Sequence, residues 1–168
     1  MKETYLYLSD EIYSQLQSHL IGEEIEDAAF AYVRLSESEN AYNFEFLGWN
    51  PVTEVEYESR SEYHLNVSED TWGNAIKHAH DLQASLVEFH SHSGFGAVSF
   101  SESDFWGFKD FVPHIMWRLD DRPYLAIVMN ETSYDGLVWI EDPQTPQQLD
   151  GIIVGNRILK PTNLSLRA

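Results

Sequence analysis

The 168-residue chain has no cysteine, which excludes disulfides and thiolate-bound metals, so any zinc must be held by nitrogen and oxygen ligands. Basic residues are scarce as well: 10 Lys and Arg stand against 28 Asp and Glu, a formal charge of −18. Such a surface repels phosphate backbones and anionic lipid, so neither nucleic acid nor a membrane is an expected partner; it suits solubility, or a basic partner. No stretch approaches the ~20 apolar residues of a membrane span, and Met1 to Ser9 lacks the apolar segment of a targeting peptide. A cytoplasmic location is expected. Internal repeats, low-complexity tracts and linkers are absent too, so residues 1–168 read as one domain.

What is present is a well-stocked core, with 43% apolar and 14% aromatic residues. Ser9 ahead of Asp10, Glu11, Ile12, Leu16 and Leu20 predicts a capped amphipathic helix ending near Gly22. The uncharged run Ala28 to Leu35 predicts a buried central strand, and Tyr42 to Trp49 a second strand paired with it as a hairpin. Residues Val52 to Val67 alternate again, with a break at Ser59-Arg60-Ser61. A second helix is expected from Ser68 to about Leu82. It is followed by a short strand, Ser85 to Phe89, and a glycine-containing loop, Ser93 to Phe100. A third helix starts at Ser101, carries Trp106, Phe108 and Phe111, and is expected to give way at Pro113. Tyr124 to Met129 and Leu137 to Ile140 read as paired strands, and a last strand lies near Ile152 to Ile158 beyond the surface connection Pro143 to Pro146. Trp72, Trp106 and Trp117 are expected in the core. The class is α/β (α+β): a mixed central sheet flanked by helices.

His90 and His92, at i and i+2 on an extended segment, project to one face and can converge on one ion. Asp104, in the first turn of the following helix, can add a third ligand, leaving a position open for water as catalytic zinc requires. Ser101-x-x-Asp104 also reads as a helix-start capping box. The two readings are compatible, because a fixed helix start fixes where the carboxylate points. His19, His64, His78, His80 and His114 fall outside the pattern and are assigned no role.

Glu26, His90-Ser91-His92 and Ser101-Glu102-Ser103-Asp104, in this order, resemble the JAB/JAMM (MPN-positive, Mov34/MPN/PAD-1) zinc metallopeptidases, whose signature is an upstream Glu, H-[ST]-H and S-x-x-D. The resemblance spans about residues 5–142, with 143–168 as a C-terminal strand extension. There are departures. The loop between His92 and Ser101 is one residue longer than the common eukaryotic pattern and is closer to bacterial deubiquitinase-like members. Ser93 replaces the proline usual after the second His, and E-x-x-G reads Glu26-Asp27-Ala28-Ala29. Glu23, Glu24 and Glu88 are the alternatives to Glu26.

The resemblance implies a single MPN/JAMM (cytidine-deaminase-like) domain holding one Zn²⁺ per chain through His90, His92 and Asp104. It gives Glu26 the proton transfers and Ser101 a hydrogen bond to the oxyanion. The implied reaction is hydrolysis of the bond after a ubiquitin-like modifier's C-terminus, in deconjugation or tail processing. The implied setting is a bacterial conjugation or antiphage system with E1- and E2-like enzymes. An extended tail could add along a strand edge, with Ser93, Gly94 and Gly96 giving room for close approach. Two other readings are a peptidase trimming a sulfur-carrier protein and a non-catalytic MPN scaffold.

Overall fold

The computed structural model describes residues 2–22, 24–61 and 65–167. Glu23, Tyr63 and His64 therefore lie outside the described residues. Its framework is a nine-stranded mixed sheet in the order β11-β10-β1-β3-β2-β6-β7-β8-β9. In chain order these are β1 (Glu3–Leu8), β2 (Ala28–Glu37), β3 (Ala41–Pro51), β6 (Ser85–Ser91), β7 (Tyr124–Met129), β8 (Tyr134–Trp139), β9 (Gln147–Gln148), β10 (Gly151–Val154) and β11 (Arg157–Leu159). A small separate hairpin, β4 (Tyr57–Arg60) with β5 (Leu65–Val67), sits off the sheet. The sheet curls until its two ends meet: the Tyr134 hydroxyl on β8 donates to Leu159 O and accepts from Ile152 N.

Three helices cover the sheet: α1 (Asp10–Leu20), α2 (Glu69–Asp81) and α3 (Glu102–Arg118). Each begins where a serine caps it: Ser9 accepts from Ile12 N, Ser68 from Thr71 N and Ser101 from Asp104 N. Substituting such a cap by alanine costs ~1 kcal/mol. Alternation along the strands sends side chains to two cores. Leu16 and Leu20 of α1 pack with Ala29, Ala31, Val87 and Phe89 on one face. On the other, Phe30, Leu86 and Ala126 meet Ile76 of α2 and Phe108, Val112 and Ile115 of α3. The mixed sheet and flanking helices match the expected class.

One strand was not foreseen, and three sequence-based expectations change. Glu3–Leu8 is a strand wedged parallel between β3 and β10. Its alternation, with Thr4, Leu6 and Leu8 inward, is short and gains a sheet position only because distant strands flank it. Helix α3 runs through Pro113 to Arg118. Proline forfeits one bond to the carbonyl of exposed Lys109, which water can serve, while buried Val112, Ile115, Met116 and Leu119 hold the helix to the sheet. The last strand is two strands, β10 and β11, joined at Gly155, whose φ of +60° favours glycine. Finally, Trp106 and Trp117 are 65% and 69% exposed, while Trp72 packs partly buried against the core.

Candidate metal centre

The centre forms where β6 ends. Glu88 pairs with Phe30 of β2 and Ala126 of β7, and His90 with Ala28 and Val128. Period-two alternation puts Glu88, His90 and His92 on the face covered by α2 and α3. His92 lies just past the strand, but its N–H donates to Met129 O at 2.9 Å, which keeps the extended path. Between the histidines, Ser91 points the other way and its Oγ accepts from Asp27 N at 2.9 Å. The serine thereby ties β6 to the segment that carries Glu26.

The loop after His92 is braced from two sides. Gly94 and Gly96 take φ near +99° and +98°, and the Gly96 carbonyl accepts from Asn130 Nδ2 (3.0 Å) and Ser133 Oγ (2.9 Å). From the C-terminal segment, Thr162 Oγ1 donates to Val98 O at 2.7 Å and Ser165 Oγ accepts from Phe100 N at 2.9 Å. Ser165 in turn donates to the fully buried Asp135. The loop delivers Ser101 as the N-cap of α3. The capping box is complete: Asp104 N donates to Ser101 Oγ at 3.1 Å, and Ser101 N donates to Asp104 Oδ2 at 2.8 Å. The box turns the Asp104 carboxylate back over the helix start, toward the histidines.

Three ligand atoms converge as a result. His90 Nε2 and His92 Nε2 are 3.2 Å apart, and each is 3.4 Å from Asp104 Oδ2. Nitrogen and oxygen ligands 2.0–2.1 Å from a tetrahedral ion lie about 3.3–3.4 Å from one another. The triangle has close to that edge, so its residues fit a zinc ion bound through two nitrogens and one oxygen. His90, His92 and Asp104 can hold a metal ion together.

The local electrostatics also call for a cation. Burial alone would push the Asp104 carboxyl up, but hydrogen bonds from both histidines, the His90 charge and the Ser101 N–H hold it well below the usual carboxylate range. Burial works to lower His90, yet Asp104, Glu88 and Glu26 together pull it above its ordinary value.

Glu26 is buried beside the triangle, with Oε1 3.8 Å from His92 Nε2. Its backbone N–H donates to Ser61 O at 2.9 Å. The next residue, Asp27, is clamped: its Oδ1 accepts from the Tyr57 hydroxyl and lies 3.3 Å from Arg60 Nη1 and 3.4 Å from His19 Nε2. His19 Nε2 also donates to Ala28 O at 2.7 Å. Helix α1, hairpin strand β4 and β6 thus converge on the residue that follows Glu26. Spacing along the chain held no signal for Asp27, Tyr57, Arg60 or His19, since their contacts join separate elements that share no period.

Two hollows meet at His92 and Ser93. One, of about 550 Å³, is lined by Glu26, Glu88, His90, Ser101, Asp104 and the apolar side chains of Leu65, Trp72, Phe108 and Phe111. The other, of about 520 Å³, lies outside, between Ile21, Glu24, Ile25, Gly94 and Phe95, the last being 82% exposed. Of the alternatives to Glu26, Glu24 is an exposed residue in that outer hollow. Glu88 is in the inner hollow but takes the Tyr124 hydroxyl at 2.8 Å. Burial pushes the Glu88 carboxyl up to about 7 against the opposing pull of His90 and Tyr124.

No helix of the described residues is long and apolar enough to cross a membrane. A scan of the chain against protein-family models returns no match, and neither does a search of curated proteins.

Proposed function

We propose that this protein is a JAMM-type zinc metallopeptidase of the cytoplasm that hydrolyses the bond after the C-terminus of a ubiquitin-like modifier. The observation that carries the reading is one juxtaposition: a His-His-Asp triangle with zinc-ligand edges, and a separate buried carboxylate, Glu26, 3.8 Å from one of its corners. A structural zinc site closes its coordination with protein ligands, whereas three ligands facing a cavity leave room for water and substrate.

In this proposal His90, His92 and Asp104 hold the zinc. Zinc, when bound there, supplies Lewis-acid polarisation of the scissile carbonyl and activation of water. Glu26 accepts the proton of the attacking water and returns it to the leaving amine nitrogen as the C–N bond breaks, so the amine leaves neutral. Ser101 Oγ already accepts from Asp104 N, so its O–H is left to donate to the oxyanion. The exposed glycine loop borders the outer hollow through Gly94 and both hollows through Ser93, and it gives an extended tail access to the site. The partners in this reading are the modifier, its conjugates and the E1- and E2-like enzymes that make them.

The test is zinc stoichiometry together with cleavage of a ubiquitin-like protein bearing a C-terminal extension, for wild type, Glu26→Ala and His92→Ala. One zinc and cleavage in wild type, zinc without cleavage in Glu26→Ala, and neither in His92→Ala are the expected results. Zinc without cleavage of any modifier or sulfur-carrier fusion would leave a metal-binding scaffold. Absence of zinc from wild type would end the reading.

A further inference from the structure

The inner hollow contains a feature that hydrolysis itself does not use. Glu88 lies on β6 two residues before His90, roughly 6.6–6.8 Å farther along the strand, and its side chain enters the cavity whose other walls are Leu65, Trp72, Phe108 and Phe111. The neighbouring positions on β6, Leu86, Val87 and Phe89, are apolar and buried. Tyr124 fixes one Glu88 oxygen from below at 2.8 Å. Among the described residues no lysine or arginine pairs with it. A carboxylate in such a wall destabilises the fold relative to an apolar residue of the same size. A second destabilising choice stands opposite: Gly107, inside α3, also lines the cavity, and a Cβ there would come within 3.3 Å of the Phe111 ring. Glycine within a helix costs about 0.8–1.0 kcal/mol relative to alanine. Glycine at 107 leaves the Phe111 ring its place in the cavity wall, and Glu88 sets a carboxyl group in the same cavity as the metal triangle.

We propose that this cavity is a side-chain pocket flanking the scissile bond and that Glu88 selects a basic substrate residue, lysine or arginine, there. The four-carbon stem of lysine matches the two-residue rise of strand that separates Glu88 from His90. Its methylenes lie against Leu65, Phe108 and Phe111, Trp72 offers a ring face to the cation, and the Glu88 carboxylate receives the ammonium or guanidinium. The pocket's place beside the cut bond rests on the peptidase reading; its preference for a cation does not.

The experiment has two arms. In the first, zinc-loaded protein is given matched fusions with Lys, Arg, norleucine or Glu on either side of the cut. Wild type should favour Lys or Arg over norleucine by about tenfold or more in kcat/KM, as a charge-assisted contact predicts, and Glu88→Gln should bring the rates together. In the second, tryptophan fluorescence of wild type, with and without zinc, is followed during titration with n-butylammonium and with n-butanol, and Trp72→Phe assigns the signal. Saturable response to the ammonium alone, lost in Trp72→Phe, is expected. Cleavage with no preference for a basic residue, or equal response to both probes, overturns the inference. Specific butylammonium binding without cleavage of any fusion sustains the pocket and overturns the peptidase reading instead. Both arms on wild type decide the matter even if Glu88→Gln does not fold.

Discussion

The His90–His92–Asp104 triangle and the Glu26 carboxylate are neighbours, with Glu26 Oε1 3.8 Å from His92 Nε2, yet they are built in opposite ways. His90, His92 and Asp104 come from one strand-loop-helix passage. Strand alternation aims the two imidazoles, and the Ser101–Asp104 capping box aims the carboxylate. Glu26 stands 64 residues before His90 in the chain and has no regular element of its own. It is held through its neighbour Asp27 by Tyr57, Arg60, His19 and Ser91. The three candidate ligands are therefore positioned by local geometry, and Glu26 by long-range contacts.

The largest effect is expected at Asp104, which the triangle and the capping box share. Asp104→Ala removes a ligand and half of the capping box at once. We expect loss of bound zinc and of cleavage, with a further ~1 kcal/mol loss of metal-free stability from the cap, read by metal analysis and denaturant unfolding. Next in size, Glu26→Gln should lower kcat by about 10²–10⁴-fold with zinc content unchanged. That split between metal and turnover distinguishes the two halves directly.

The long-range half should give way more gently. Tyr57→Phe removes the hydroxyl that holds Asp27, and we expect kcat to fall by about tenfold or more through misplacement of Glu26, with KM and zinc content little altered. Rescue by no single ligand substitution, and a normal zinc titration, would separate this effect from damage to the triangle. Chelation of zinc from wild type should lower Tm, the loss corresponding to ~2.7 kcal/mol at a free zinc of a hundred times Kd.

The smallest expected effect lies one step farther out. Glu56 closes a capping box with Thr53 immediately before β4 and also accepts from Thr71 of α2, so it anchors the hairpin that carries Tyr57. The Thr53 N–H is the main cause that lowers its carboxyl; burial opposes, and the Thr53 and Thr71 hydroxyls assist. A carboxyl lowered in the folded state binds fewer protons there than in the unfolded chain. Its stabilisation is thus present above the ordinary value of 4.5 and is lost as pH falls through the lower folded value. Glu56→Gln should cost roughly 1 kcal/mol at neutral pH, and the difference from wild type should shrink on acidification in paired denaturant titrations.

Much of the fold was legible because its signals are local. Ser9, Ser68 and Ser101 mark helix starts that their own hydroxyls create, and the apolar runs of β2 and β7 announce buried strands. The short alternation of Glu3–Leu8 was not legible, since two strands far along the chain make its place. Nor could Pro113 be weighed from sequence, because what carries α3 past it is burial against a sheet assembled elsewhere. Trp106 and Trp117 were misplaced for the same reason: hydrophobicity names candidates for the core, but a helix has only one face to bury.

The sequence alone determined the candidate ligand set, its spacing and the helix cap that aims Asp104, because strand period and capping act within a few residues. Only the tertiary structure decided that Glu26 lies beside His92 and that Tyr57, Arg60 and Ser91 clamp Asp27. Those placements depend on chain segments meeting after dozens of intervening residues, and loop closure leaves no periodic trace in the sequence.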